Sequence, residues 1–171
     1  MRIIDRAFFK RNVVILAQEL LGKVLCRKLA DGQVLRIRIT ETEAYGGADD
    51  SASHASHGMT KRNAPMFGRG GTIYVYLCYG IHEILNIISG EVGDPQGVMI
   101  RGVDNLFGPG KVTKALCVTR ELCNHDITNS QDIWLEDDGF KLNGVQELKR
   151  VGIGYASTED QDRLWRFRII F

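Results

Sequence analysis

No two cysteines of this chain stand in a CxxC pair, no HExxH pattern occurs, and no apolar run approaches the roughly 18 residues of a membrane span. The first two absences remove the common zinc scaffolds. Cys26, Cys78 and Cys117 lie among apolar neighbours and read as buried reduced thiols, and Cys123 adds no bridge or ligand pattern. The third absence leaves no membrane partner, and Met1-Arg2-Ile3-Ile4-Asp5-Arg6 puts charges where a signal peptide would hold its apolar stretch. The expected location is intracellular, cytoplasmic in a bacterium and nuclear in a eukaryote. Complete phosphate-binding fingerprints are missing as well. Gly68-Arg69-Gly70-Gly71 and Gly108-Pro109-Gly110-Lys111 supply only fragments of them, which argues against a nucleotide cofactor. Nor is there a strong charge of one sign: the net charge is +1, although residues 61–120 hold seven Lys or Arg against four Asp or Glu, a local excess compatible with a polyanion.

What is present fits one domain over residues 1–171, long enough to bury its own core, with neither repeats nor a linker. Asn12 ahead of Val13, Val14, Ile15, Leu16, Leu20 and Leu21, with Gly22 behind, predicts an N-capped helix. Residues 23–29 and 34–42 predict a hairpin around Ala30-Asp31-Gly32. Residues 46–71 form a long polar connection of the kind that is either functional or disordered. Strands follow at 72–78, 83–89 and 97–103, then a helix opened by Pro109 and running through 112–118, and shorter strands near 133–135, 147–153 and 164–170. Strands outnumber helices, so the expected fold is α+β, a curved, largely antiparallel sheet flanked by helices.

The strand 35–43 ends unusually. Its period of two puts Leu35, Ile37, Ile39, Glu41 and Glu43 on one face, so an apolar face turns into carboxylates. A buried unpaired carboxylate is costly enough that it neutralises, finds a cation, or serves as an acid or base. Similar intrusions occur at Asn86, between Ile84 and Ile88, and at Arg101, between Met99 and Val103. One reading is edge exposure or a structural ion pair such as Glu43 with Arg101; the other is a carboxylate, guanidinium and carboxamide arranged around a small polar ligand.

Tyrosines supply a second theme. Tyr45 follows Glu43 by two, Tyr74 and Tyr76 share a strand face, and Tyr79 stands in a turn beside Gly80 where an aromatic can insert into something. Tyrosines around an acid suit a nucleobase pocket, each stack contributing roughly 1–3 kcal/mol. His54 and His57 lack the company of metal ligands, and a neutral imidazole against a ligand fits them better. Lys111 and the amides at the predicted helix start are candidates to grip a phosphodiester.

ETEAY at 41–45, KRNAPMF at 61–67, GTIYVYLCYGIHEILNI at 71–87, VMIRGV at 98–103, GPGKVTKAL at 108–116, RVGIG at 150–154 and RFRI at 166–169 together resemble the alkyladenine (3-methyladenine) DNA glycosylase family of the mammalian type. The resemblance is collinear over nearly the whole chain. It implies a single glycosylase domain with a fold like the formyltransferase C-terminal domain, acting on duplex DNA that contains a damaged purine, with no metal or organic cofactor; a monomer is the default expectation. In the implied mechanism Glu43 is the general base that activates water and Arg101 helps hold that water. Tyr45, His54 and Tyr76 sandwich the flipped base, Asn86 excludes guanine, Tyr79 fills the gap in the duplex, and Lys61, Arg62 and Lys111 touch phosphates. The implied substrates are 3-methyladenine, with hypoxanthine and etheno-adenine, and the product is an abasic site in base excision repair. The family pattern continues past RFRI into a further element that contributes a carbonyl to the water, whereas this sequence reaches Phe171 there. A non-catalytic damaged-DNA-binding domain is the alternative.

Overall fold

A computed structural model describes residues 1–170; Phe171, where the family pattern was expected to be departed from, lies outside them. Nine strands among the described residues form one curled, largely antiparallel sheet, with β3-β4-β5-β2-β1-β7 as its spine. The strands are β1 (Val24–Lys28), β2 (Val34–Tyr45), β3 (Ile73–Cys78), β4 (His82–Ser89), β5 (Gln96–Val103), β6 (Leu106–Phe107), β7 (Ile133–Glu136), β8 (Val145–Leu148) and β9 (Arg166–Ile169). The helices α1 (Val13–Glu19), α2 (Pro109–Ala115) and α3 (Thr158–Asp162) are short. This is the α+β architecture that the strand count implied.

The elements form for local reasons. Asn12 caps α1 by accepting from the Val14 amide, and Gly22, at φ 80°, lets the chain turn into β1. Gly32, at φ 87°, closes the β1–β2 hairpin. One face of the sheet packs Ile73, Val75, Leu85, Ile87, Val98 and Ile100 against Leu16 and Ala17 of α1, Val112 of α2, and Leu20 and Leu116, which follow directly on the two helices. That is the main core. The opposite face carries residues of a different character and lies under the 46–71 connection and the 149–165 segment.

Several expectations need correction. Ile39 and Ala44 both belong to the main core, and the Thr42 hydroxyl donates to the Ala17 carbonyl at 2.8 Å on that same side. Strict alternation from Leu35 to Glu43 is therefore broken. The β2–β5 register shifts on both sides of the Glu41–Gly102 pair, and this irregularity turns Glu41 and Glu43 onto the face opposite Ile39. It also separates Val103, in the main core, from Met99 and Arg101. The helix after Pro109 ends at Ala115, because Cys117 adopts φ 49° and leaves the helical path; that conformation exposes Cys117, which was expected to be buried. The Lys111 and Val112 amides both donate to the Gly108 carbonyl, so they are not the free donors expected at that helix start. The strand expected over 147–153 is β8, displaced to Val145–Leu148.

Residues 46–71 have a defined course. The buried Asn63 side chain donates to the carbonyls of His54 (2.8 Å) and Gly58 (3.0 Å) and accepts from the Thr60 amide (2.6 Å), which folds the loop back on itself. Two short 3-10 turns, Gly47–Asp49 and Ala64–Phe67, flank it.

Candidate active site

Register assembles the site. Reading across the sheet, Tyr74 on β3 opposes Asn86 on β4, Asn86 opposes Met99 on β5, Met99 opposes Glu43 on β2, and Glu43 opposes Arg166 on β9. Side chains of directly opposed residues project to the same face, so this row defines a floor. Tyr45 opposes Gly97, whose missing side chain leaves the floor open next to it. Tyr76 on β3 and Tyr45 on β2 rise from backbones separated by two intervening strands, about 14 Å at the usual spacing, and the curl of the sheet tips them toward one space. The pocket together with the solvent at its opening amounts to about 350 Å³ of space. Ala52, His54 and Met66 of the polar connection roof it, and Tyr155 closes one side. It widens toward solvent between Arg62, Tyr79 and Arg101.

Glu43 is fully buried at the base of this opening. Its Oε1 accepts from the Val151 amide at 3.0 Å and its Oε2 from the Tyr45 hydroxyl at 2.9 Å, while Arg101 Nε lies 3.5 Å from Oε1. Burial drives its pKa above the ordinary carboxylate value; Arg101, the Val151 amide and the Tyr45 hydroxyl oppose that shift without cancelling it. The result is a carboxylate more basic than a surface glutamate. The Tyr45 hydroxyl is pushed far up by burial and by Glu43, so it stays protonated and donates. Arg101 Nε also lies 3.4 Å from Oε1 of the buried Glu41, which accepts further from Arg166 (2.8 Å) and Arg168 (3.0 Å).

The aromatic walls are in contact with one another. His54 and Tyr76 have ring centroids 4.4 Å apart in an edge-on arrangement, too close to admit a base between them. They form one wall together, with Tyr45 across the floor, rather than facing each other as a sandwich requires. The His54 Nδ1 pairs with the Tyr74 hydroxyl at 3.1 Å. Burial, reinforced by Arg62, lowers the His54 pKa, so the ring is neutral at physiological pH. Asn86 donates its amide hydrogens to the carbonyls of Tyr74 and Ile84, both at 3.3 Å, which fixes the carboxamide in the floor.

The remaining expected residues lie outward. Tyr79 is 88% exposed at the tip of the β3–β4 hairpin, with φ 51° followed by Gly80 at 74°. Arg62 borders the mouth, Lys61 is exposed beside it, and Lys111 lies on the outer flank of the hairpin with Ile81 and Lys114. Among the described residues no group of three His, Cys, Asp or Glu side chains converges as a metal site. The sequence reading missed Tyr155 and Met66 in the lining. It also missed the clasp behind Tyr45, where Arg150 pairs bidentately with Asp50 at 2.5 and 2.8 Å, both side chains buried.

A carboxylate of raised basicity at the end of an aromatic slot, open toward an exposed tyrosine and a cationic rim, agrees with what comparison with known proteins finds. The family model described as methylpurine-DNA glycosylase matches residues 7–108 and 104–170. The chain belongs to the methylpurine-DNA glycosylase family. This methylpurine-DNA glycosylase homologue is 40% identical to a protein of Sodalis glossinidius over 97% of the chain and 96% of that relative. It is 38% identical to proteins of Psychrobacter cryohalolentis and Methanocella arvoryzae, over 99% and 98% of the chain and 92% of each relative. All three carry the name "Putative 3-methyladenine DNA glycosylase". The family thus fixes the enzyme class as a DNA glycosylase of DNA repair. The mammalian qualifier is not supported, since these relatives are bacterial and archaeal.

Proposed function

We propose that the protein is a monofunctional glycosylase that flips damaged purines, 3-methyladenine above all, out of duplex DNA and hydrolyses the N-glycosidic bond with water. The observation that carries this reading is the fully buried Glu43 carboxylate, held by Tyr45, Val151 and Arg101 at the end of an aromatic pocket. Glu43 takes a proton from water as the water oxygen bonds to C1′. The N-glycosidic bond breaks, its electron pair leaves with the base, and an abasic site remains. Developing positive charge on the sugar is stabilised by the same carboxylate. A cationic 3-methylated adenine departs neutral and needs no added proton, whereas hypoxanthine and etheno-adenine are poorer leaving groups and are expected to react more slowly.

The neutral His54 supports a cationic substrate, because a protonated ring would repel it. The base stacks between the His54–Tyr76 wall and Tyr45, over Asn86, whose carboxamide leaves no room for the exocyclic amino group of guanine. Tyr79 fills the vacated duplex position, with Arg62, Lys61 and Lys111 on phosphates. The protein acts on duplex DNA as a monomer.

The test is release of 3-methyladenine from alkylated duplex DNA by the wild type and by Glu43→Gln. The wild type is expected to release base and the variant to bind the lesion with at least a hundredfold slower release, in line with the roughly 10²–10⁴ contribution of a general base. Wild-type rates in the variant would remove Glu43 from the mechanism. Lesion binding without release by the unmutated protein would select the non-catalytic alternative.

A further inference from the structure

Two carboxylates, Glu41 and Glu43, share one buried face of β2, and a single guanidinium stands between them. Arg101 Nε is 3.4 Å from Glu41 Oε1 and 3.5 Å from Glu43 Oε1. Both separations exceed the roughly 2.7–2.9 Å of a tight charge-assisted bond. We propose that Glu41 is a positioning residue that keeps Glu43 basic by holding Arg101 back from it. The inference deepens the reading of Glu43 as general base and rests on it.

The strand is built to seat Glu41 there. A side chain at Gly102 would meet the Glu41 Cβ at 2.8 Å, so the opposing position has none, and the register shifts around this pair turn Glu41 toward Arg101. Arg166 and Arg168, opposite Glu43 and Glu41 on β9, lock the same Glu41 oxygen at 2.8 and 3.0 Å. Glu41 Oε2 is buried without a partner among the described residues. Structure alone gives little reason for such a group, since apolar side chains often replace buried ion clusters with no loss of stability.

The consequence follows from the charges around Glu43. β2 contributes Glu41 and the neutral Tyr45, β5 contributes Arg101, and β9 contributes Arg166 with Arg168 one step further. The 149–153 segment adds Arg150, already matched by Asp50, and β3 adds the neutral Tyr76. Among the described residues, Glu41 is thus the one anion on this face of the sheet that is not Glu43 itself. Removing its charge ends a like-charge repulsion and frees Arg101 to close on Glu43, and both changes favour the ionised carboxylate. A carboxylate so stabilised is a weaker base.

The experiment is a ¹³C NMR titration of the Glu43 side-chain carboxyl, assigned by its disappearance in Glu43→Gln, in the wild type, Glu41→Gln and Glu41→Asp. In Glu41→Gln the midpoint is expected to fall by about one unit or more, within the range that an adjacent opposite charge produces. The acid limb of the pH–rate profile for 3-methyladenine release moves with it, and the plateau rate falls. Glu41→Asp keeps the charge and stays near the wild type. Should Glu41→Gln not fold, Glu41→Gln/Arg168→Met removes one cation with the anion and carries the same expectation. A midpoint in Glu41→Gln that is unchanged or higher overturns the inference, as does an equal fall in Glu41→Asp. A wild type that releases no base would instead overturn the functional reading, while the NMR midpoints still decide the role of Glu41.

Discussion

Glu43 is held between opposing demands. Burial favours its protonated form and three donors favour its ionised form, and burial prevails. Because the folded protein holds this proton to higher pH than the unfolded chain does, the group favours folding below the ordinary glutamate value of 4.5. That contribution is lost as pH rises through the raised folded value, and at neutral pH the buried charge is a net penalty. Glu43→Gln removes the penalty and keeps an acceptor for the Val151 amide, while Arg101 retains Glu41. The variant is expected to melt above the wild type at pH 7, at roughly 2–4 °C per kcal/mol relieved, and the two are expected to converge near pH 4. Thermal melts at the two pH values check this, and a variant less stable at pH 7 would falsify the claim that Glu43 is buried at a cost. At this scale the sequence was informative: Glu43, Arg101 and Asn86 each stand out as polar residues on an apolar strand. The assignment of Ile39 to their face failed because counting by two assumes an unbroken ladder, and the irregularity at Glu41 and Gly102 leaves no mark in the alternation itself.

Between elements, the decisive contact is the Arg150–Asp50 pair. Arg150 donates to both Asp50 oxygens and to the Ala44 carbonyl at 3.0 Å, and lies 4.9 Å over the Tyr45 ring. Asp50 also accepts from the Gly46 and Ala52 amides at 2.9 and 3.1 Å. One clasp therefore fixes the start of the pocket roof, the back of Tyr45 and, through the adjacent Val151 amide, the orientation of Glu43. Asp50→Asn leaves a buried guanidinium without its counter-charge and is expected to cost about 3–5 kcal/mol, read from urea unfolding. Base release by the folded fraction should fall as well, because the Val151 amide loses its anchor. A loss under about 1 kcal/mol would mean that the pair is not the clasp described. No local pattern reveals this pair: Asp50 sits in a polar stretch and Arg150 beside an unremarkable Lys149, a hundred residues apart. The strands and the first hairpin were readable because period and turn chemistry are local, whereas the order that Asn63 and Asp50 impose on residues 46–71 comes from partners that only the folded chain brings together.

Over the whole molecule, the sheet divides labour between its faces. One face packs on α1 and α2, and the other presents the pocket, whose mouth lies between Arg62, Arg101 and the hairpin tip. In the proposed complex that tip enters the duplex. Tyr79 holds φ 51° in the β-turn over residues 78–81, which the Ile81 amide closes on the Cys78 carbonyl at 3.2 Å within the three-residue connection from β3 to β4. Turns with positive φ at both central positions favour Gly, Asn or Asp, and a tyrosine there costs about 1–2 kcal/mol of backbone strain. Its ring is exposed and gives nothing back to the fold. A residue that strains the turn while remaining almost wholly exposed is best explained by what it does outside the protein. Tyr79→Gly is therefore expected to raise stability by about 0.5–1 kcal/mol while lowering excision from duplex DNA by roughly 5- to 150-fold, the loss of one stacking contact of roughly 1–3 kcal/mol. Lesions in single-stranded DNA leave no gap to fill, so the variant should match the wild type on them. Equal losses on both substrates would place Tyr79 in general DNA binding, and no loss on the duplex would leave the strained turn without its proposed purpose.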